Sequence, residues 1–119
     1  IQRHLKNGRA LQNGLEAMGL ILHAAKGHRL NVLTTVRVPE GVDELRIRQR
    51  LLNEYNIEIG AGLGPLKGKV WRVGLMGHTS SPENVLMFLA ALETLLVKEG
   101  FKVEPGSGVV AAVKSLQGK

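Results

Sequence analysis

A chain of 119 residues, 44% hydrophobic and 22% charged, is long enough for one domain with a buried core and lacks the composition of a disordered segment. It has no cysteine, which excludes disulfides and thiolate metal sites, and no apolar run near the roughly 18–20 residues a membrane helix needs. Its net charge of +6 admits nucleic acid as a partner, but two Phe, one Tyr and one Trp are too few for a base-stacking surface, and the Lys and Arg residues are scattered.

Residues 2–25 carry Leu11, Leu15, Met18 and Leu22 on one helical stripe, which predicts a leading helix weakened by Gly8 and Gly14, each by about 1 kcal/mol relative to alanine. A second reading ends the helix at Gly19 and starts a strand at residues 20–22. Lys26-Gly27-His28 reads as a turn. Residues 30–38 place Val32, Thr34, Val36 and Val38 on one side of a strand that Pro39-Glu40-Gly41 closes. A helix over residues 43–56 follows, with Leu45, Leu52 and Tyr55 on its expected apolar face and Leu51 beside them. In it Glu44 and Arg48 form a favourable pair four residues apart, whereas Arg46 and Arg50 repel.

Ile57-Glu58-Ile59 is expected as a short strand, residues 60–68 as a glycine-rich loop and residues 68–77 as a further strand. Ser80, Ser81, Pro82 and Glu83 signal a helix start, with Glu83 expected to close a capping box with Ser80. That helix carries a wide stripe of Val85, Phe88, Leu89, Leu92, Leu95 and Leu96 and ends at Gly100. Residues 105–108 read as a flexible link, and residues 109–116 as a short helix or frayed tail. The succession predicts an α+β fold: a small, mainly antiparallel sheet of three to four strands with helices packed on one face.

Arg72 is the one site candidate that the residues supply. Strand alternation puts it on a face with Val70, Gly74 and Met76, where a guanidinium needs an anion and Gly74 leaves space beside it. Its planar fork suits a carboxylate or phosphate; pairing with an internal Asp or Glu, or plain exposure at a sheet edge, are the alternatives. The glycine loop is no P-loop, because Gly68-Lys69 leads into a strand rather than into Ser or Thr opening a helix. It reads as a connector whose backbone passes close to a ligand or another domain. His4, His23, His28 and His78 form no metal pattern, and His78 is expected to play a loop role. No nucleophile–base arrangement and no tuned acid–base pair is visible.

The ordered runs Val38-Pro39-Glu40-Gly41-Val42-Asp43, Tyr55-Asn56-Ile57-Glu58-Ile59-Gly60-Ala61-Gly62-Leu63-Gly64-Pro65, Gly68-Lys69-Val70-Trp71-Arg72-Val73-Gly74-Leu75-Met76-Gly77 and Pro82-Glu83-Asn84-Val85 resemble the C-terminal small domain of the alanine–glyoxylate (serine–pyruvate) aminotransferases. These are class V, fold-type I, pyridoxal-phosphate enzymes. The resemblance covers residues 1–101, with residues 1–25 as the leading helix from the domain junction and residues 102–119 left as a tail.

It implies that Arg72 binds the α-carboxylate of an amino- or keto-acid substrate, with Gly62, Leu63 and Gly64 near the same pocket. It also implies that the catalytic lysine and the groups holding pyridoxal 5'-phosphate belong to a large domain, so that this segment alone is inactive. The partners implied are the substrate, the chain's own large domain and a second subunit in a homodimer; neither a membrane nor nucleic acid is expected. The amino donor stays open among alanine, serine and ureidoglycine, and the acceptor between glyoxylate and pyruvate. The chain starts at Ile1 rather than methionine, which reads as a fragment or a processed product. The alternative is a stand-alone basic module for an anionic ligand or nucleic acid. Cytoplasm is the default compartment; the C-terminal Leu116-Gln117-Gly118-Lys119 is not a peroxisomal Ser-Lys-Leu ending, yet neither peroxisome nor mitochondrion is excluded.

Overall fold

The structure is a computed structural model and describes residues 2–24, 33–74 and 80–119, with side chains from residue 5 onward. The first helix, α1 (Gln2–Ala17), stops well short of residue 25. Gly19 takes φ +92°, a left-handed conformation that glycine adopts without strain, and turns the chain out of the helix. Leu22 then bridges to Val36, while His23 N–H donates to the Thr35 carbonyl and Arg37 N–H to the Ile21 carbonyl, each at 2.8 Å. The reading that ends the helix at Gly19 therefore holds. Leu22 is still buried, but in the sheet layer rather than on the helix stripe.

Three strands, β1 (Leu33–Arg37), β2 (Gly60–Ala61) and β3 (Val70–Gly74), form an antiparallel sheet in the order β1-β3-β2. Thr34, Val36, Trp71 and Val73 point to the side that is buried. Val36, Trp71 and Val73 join one core with Leu11 and Leu15 of α1 and with residues of the later helices. The helices thus pack on one face of the sheet, as the α+β expectation has it.

Asp43 caps α2 (Glu44–Tyr55) by accepting from Arg46 N–H at 3.0 Å. The buried face of α2 is Ile47 and Leu51; Leu45 and Leu52 are 49% and 44% exposed. The expected face is therefore turned by part of a turn. Trp71 decides the docking, since its indole N–H donates to the Glu44 carbonyl at 3.3 Å from the first turn of α2. The expected Glu44–Arg48 pair forms. Arg46 and Arg50 do not oppose each other unscreened: Arg46 bonds Glu99 at 3.0 Å and Arg50 pairs with Glu54.

Ser81, not Ser80, caps α3 (Pro82–Lys98), accepting from Asn84 N–H at 3.1 Å. Glu83 then sits one place too early to close a capping box, while the buried Ser80 hydroxyl accepts from Asn7 Nδ2 of α1 at 3.2 Å. All six residues of the predicted α3 stripe are buried. Residues 107–116 form α4, which packs on α1 and α3 and buries Ala112 in the core. The helices approach so closely that a Cβ on Gly14 would lie 2.9 Å from the Gly108 carbonyl oxygen. Glu93 fixes the start of α4 by accepting from Gly106 N–H at 3.0 Å.

Candidate functional site

Arg72 sits in the middle of β3, the central strand, opposite Thr35 of β1 and Gly60 of β2. Its neighbours Trp71 and Val73 point into the helical core, so alternation turns Arg72 to the other side of the sheet with Val70 and Gly74. Met76, also expected on that face, lies outside the described residues. Burial falls off along this face: Val70 is buried, Arg72 half-buried and Gly74 exposed.

The guanidinium is aimed by backbone. Nε donates to the Ala61 carbonyl oxygen at 2.8 Å, across the β2–β3 pair. The side chain lies over Gly60, where an added Cβ would stand 3.3 Å from Nη2 and 3.5 Å from Nε. The space beside the guanidinium thus comes from Gly60 on the neighbouring strand. Ile57-Glu58-Ile59 is not itself a strand; β2 starts at Gly60 because its pairing with Arg72 and Trp71 begins there. With Nε committed, the two Nη nitrogens form the remaining fork, which matches a carboxylate or phosphate.

Among the described residues no carboxylate forms an ion pair with Arg72. The ion pairs there join Arg46 to Asp43 and Glu99, Arg48 to Glu44, and Arg50 to Glu54. The reading of Arg72 as half of an internal pair therefore has no support in this part of the chain. Among the described residues this half-buried guanidinium is held at one nitrogen and has no partner at the other two, which suits an anion supplied from outside.

The glycine loop serves its own fold first. A Cβ on Gly62 would lie 2.1 Å from the Leu66 carbonyl oxygen, so the loop folds back on a 3₁₀ turn, Gly64–Leu66, rather than opening toward another body at that point. Leu63 is 66% exposed, and Gly64 opens the turn. Gly60 and Ala61 touch Arg72 directly, whereas Gly62, Leu63 and Gly64 follow as the next residues of the same loop. The resemblance placed the loop of residues 60–68 near the pocket, but the pairing of Gly60 with Arg72 and the role of the Ala61 carbonyl were missed. The available signal was a glycine directly after the expected strand of residues 57–59, which often marks a close approach.

Other candidates stay outside this site. A groove of about 250 Å³ is lined by Asn56, Ile57, Glu58, Ile59, Val73, Gly74, Asn84, Met87 and Phe88 without Arg72. His23 is exposed on the strand segment beside β1; His28 and His78 lie outside the described residues, as does the side chain of His4. Among the described residues no three His, Asp or Glu side chains converge as metal ligands, and no helix is long and apolar enough to cross a membrane. Every described lysine is exposed, so none has the desolvated setting that turns a lysine into a nucleophile.

No family model matches the chain. It is 40% identical over 112 residues to the (S)-ureidoglycine–glyoxylate transaminase of Bacillus subtilis, covering 94% of this chain and 27% of that protein. It is 37% identical over 118 residues to the serine–glyoxylate aminotransferase of Arabidopsis thaliana, covering 98% and 29%. The crystal structure of ureidoglycine–glyoxylate aminotransferase from Bacillus subtilis superposes on 98% of the chain, and on 30% of its own length, with a TM-score of 0.92 at 39% identity. The chain thus spans under a third of the length of these relatives, and the likeness runs through α4, beyond residue 101.

Proposed function

We propose, on the premise that this chain belongs to the class V aminotransferases and corresponds to their small domain, that it is the part of a pyridoxal-phosphate-dependent transaminase that binds the substrate carboxylate through Arg72. The observation that carries this reading is the open Arg72 fork: one nitrogen is bonded to backbone and no carboxylate of the described residues pairs with the guanidinium. The substrates proposed are 2-amino and 2-oxo acids, with alanine or serine as donor and glyoxylate or pyruvate as acceptor. The relatives' names support this class, since they pair serine or ureidoglycine with glyoxylate.

Every described lysine is exposed, which supports placing the cofactor-holding lysine elsewhere. We assign pyridoxal 5'-phosphate to the remainder of a longer protein, where it supplies an electron sink for the bond broken at the substrate Cα. The work of this chain is then orientation. The two Nη nitrogens take both carboxylate oxygens in plane, which fixes the direction of the Cα substituents. The Ala61 carbonyl prevents the guanidinium from turning about its long side chain, so less freedom is lost when the substrate binds.

In the intact enzyme, Arg72→Ala weakens binding of the amino acid by about 2–5 kcal/mol, the usual scale for truncating one partner of a desolvated charge pair. Arg72→Lys is also poor, since a point charge cannot replace two parallel hydrogen bonds. Steady-state kinetics with alanine and serine check this, and unchanged KM and kcat in both variants would refute it.

A further inference from the structure

We propose that Gly60 sets how large a group the substrate can carry beside the carboxylate held by Arg72, an inference that rests on the reading of Arg72 above. Gly60 pairs with Arg72 in register, so a side chain at position 60 would rise from the same sheet face, next to the guanidinium. The backbone does not demand glycine here, because Gly60 has no positive φ. A glycine within a strand weakens it and marks a place where something must come close. The three nearest neighbours of a Cβ placed there all belong to Arg72: Nη2 at 3.3 Å, and Cβ and Nε at 3.5 Å.

The geometry then links position 60 to the substrate. Nε is held by Ala61, so a carboxylate meets the Nη pair end-on, with an oxygen about 2.8 Å from Nη2. A Cβ at position 60 stands 3.3 Å from that same Nη2, and a longer side chain would reach the atoms bonded to the carboxylate carbon. A methyl group asks the Nη2 end of Arg72 to give by only a few tenths of an ångström while Nε stays on Ala61, since its 3.5 Å contacts to Cβ and Nε are ordinary packing. A methionine would occupy the room next to the substrate Cα. Glycine at this position keeps the site open to amino and oxo acids with side chains longer than methyl, and a large residue confines it to the smallest.

The test is the substrate series glycine, alanine, serine, 2-aminobutyrate and norvaline on the intact transaminase, with wild type, Gly60→Ala, Gly60→Met and Arg72→Gln. Gly60→Met is expected to lower kcat/KM for norvaline at least about tenfold more than for glycine, the loss expected of a methylene-sized misfit. Gly60→Ala repeats the trend in smaller measure and keeps the test decisive if the methionine variant melts early. Arg72→Gln lowers kcat/KM for the whole series alike. A flat response to Gly60→Met and Gly60→Ala, or an equal loss for every acid, overturns the role of Gly60 in size selection. An Arg72→Gln variant that binds all the acids normally overturns instead the reading of Arg72 on which the inference rests.

Discussion

Gly62 is the residue whose replacement the fold tolerates least around the site. An added Cβ meets the Leu66 carbonyl oxygen at 2.1 Å and Val70 Cγ2 at 2.9 Å, and the nearer atom is backbone that cannot step aside. Gly62→Ala is expected to cost about 1–3 kcal/mol, the range for overpacking, and to lower the melting temperature by several degrees. An unchanged melting curve would show that the loop can re-form without that contact. The loop leads out of β2, so the same variant should also disturb Arg72 through Ala61. Arg72 and the glycine-rich run stood out in the sequence, but the partnership of Arg72 with Gly60 did not. Register belongs to a strand pair, and no pattern within residues 57–61 states which residue of β3 they will face.

Among the elements, α3 was the most legible, apart from the capping box expected of Ser80 and Glu83. Ser81 and Pro82 mark its start, six apolar residues at helical spacing mark its buried side, and Gly100 follows its last turn. The buried face of α2 was less legible, because Leu45, Ile47, Leu51 and Leu52 offer more than one apolar stripe and the contact with Trp71 selects among them. The helix α4 was hardest to place, since its reason for folding lies about ninety residues away in sequence, in the Gly14–Gly108 contact. That contact makes a prediction against helix propensity. Alanine is favoured over glycine in a helix by about 1 kcal/mol, yet Gly14→Ala sets a methyl 2.9 Å from the Gly108 carbonyl oxygen and 2.5 Å from Leu89 Cδ1. We expect a net loss of about 1–3 kcal/mol in thermal or urea unfolding. A stabilised variant would mean that α1 and α4 can separate freely.

Across the chain as a folded unit, the net charge of +6 is held together partly by ion pairs that join the ends of helices. Glu99, its side chain 9% exposed, accepts from Arg46 of α2 and from the Asp43 N–H. The Arg46 hydrogen bond foremost, and then that of the Asp43 backbone, hold its carboxyl below the ordinary glutamate range. Arg50 does the same for Glu54 through its side-chain hydrogen bond. A depressed carboxyl pKa means that the unfolded chain binds protons first as pH falls. The stabilisation is complete above the unfolded glutamate value of about 4.3 and is lost as pH drops through the lower folded value. The melting temperature should therefore fall on acidification from pH 5 to pH 3. Glu99→Gln should flatten that fall while lowering stability at pH 7; a slope unchanged by Glu99→Gln would remove Glu99 from the explanation.

The most direct test of Arg72 as the carboxylate-binding group removes each half of the proposed contact in turn. In the proposed full-length transaminase, dissociation constants are measured for alanine and for alaninamide, which lacks the carboxylate, with wild type and with Arg72→Gln. Loss of Arg72 should weaken alanine by about 2–5 kcal/mol and leave alaninamide nearly unchanged, because the partner is already gone. An equal loss for both ligands, or no loss for alanine, would contradict the assignment of Arg72 to the carboxylate.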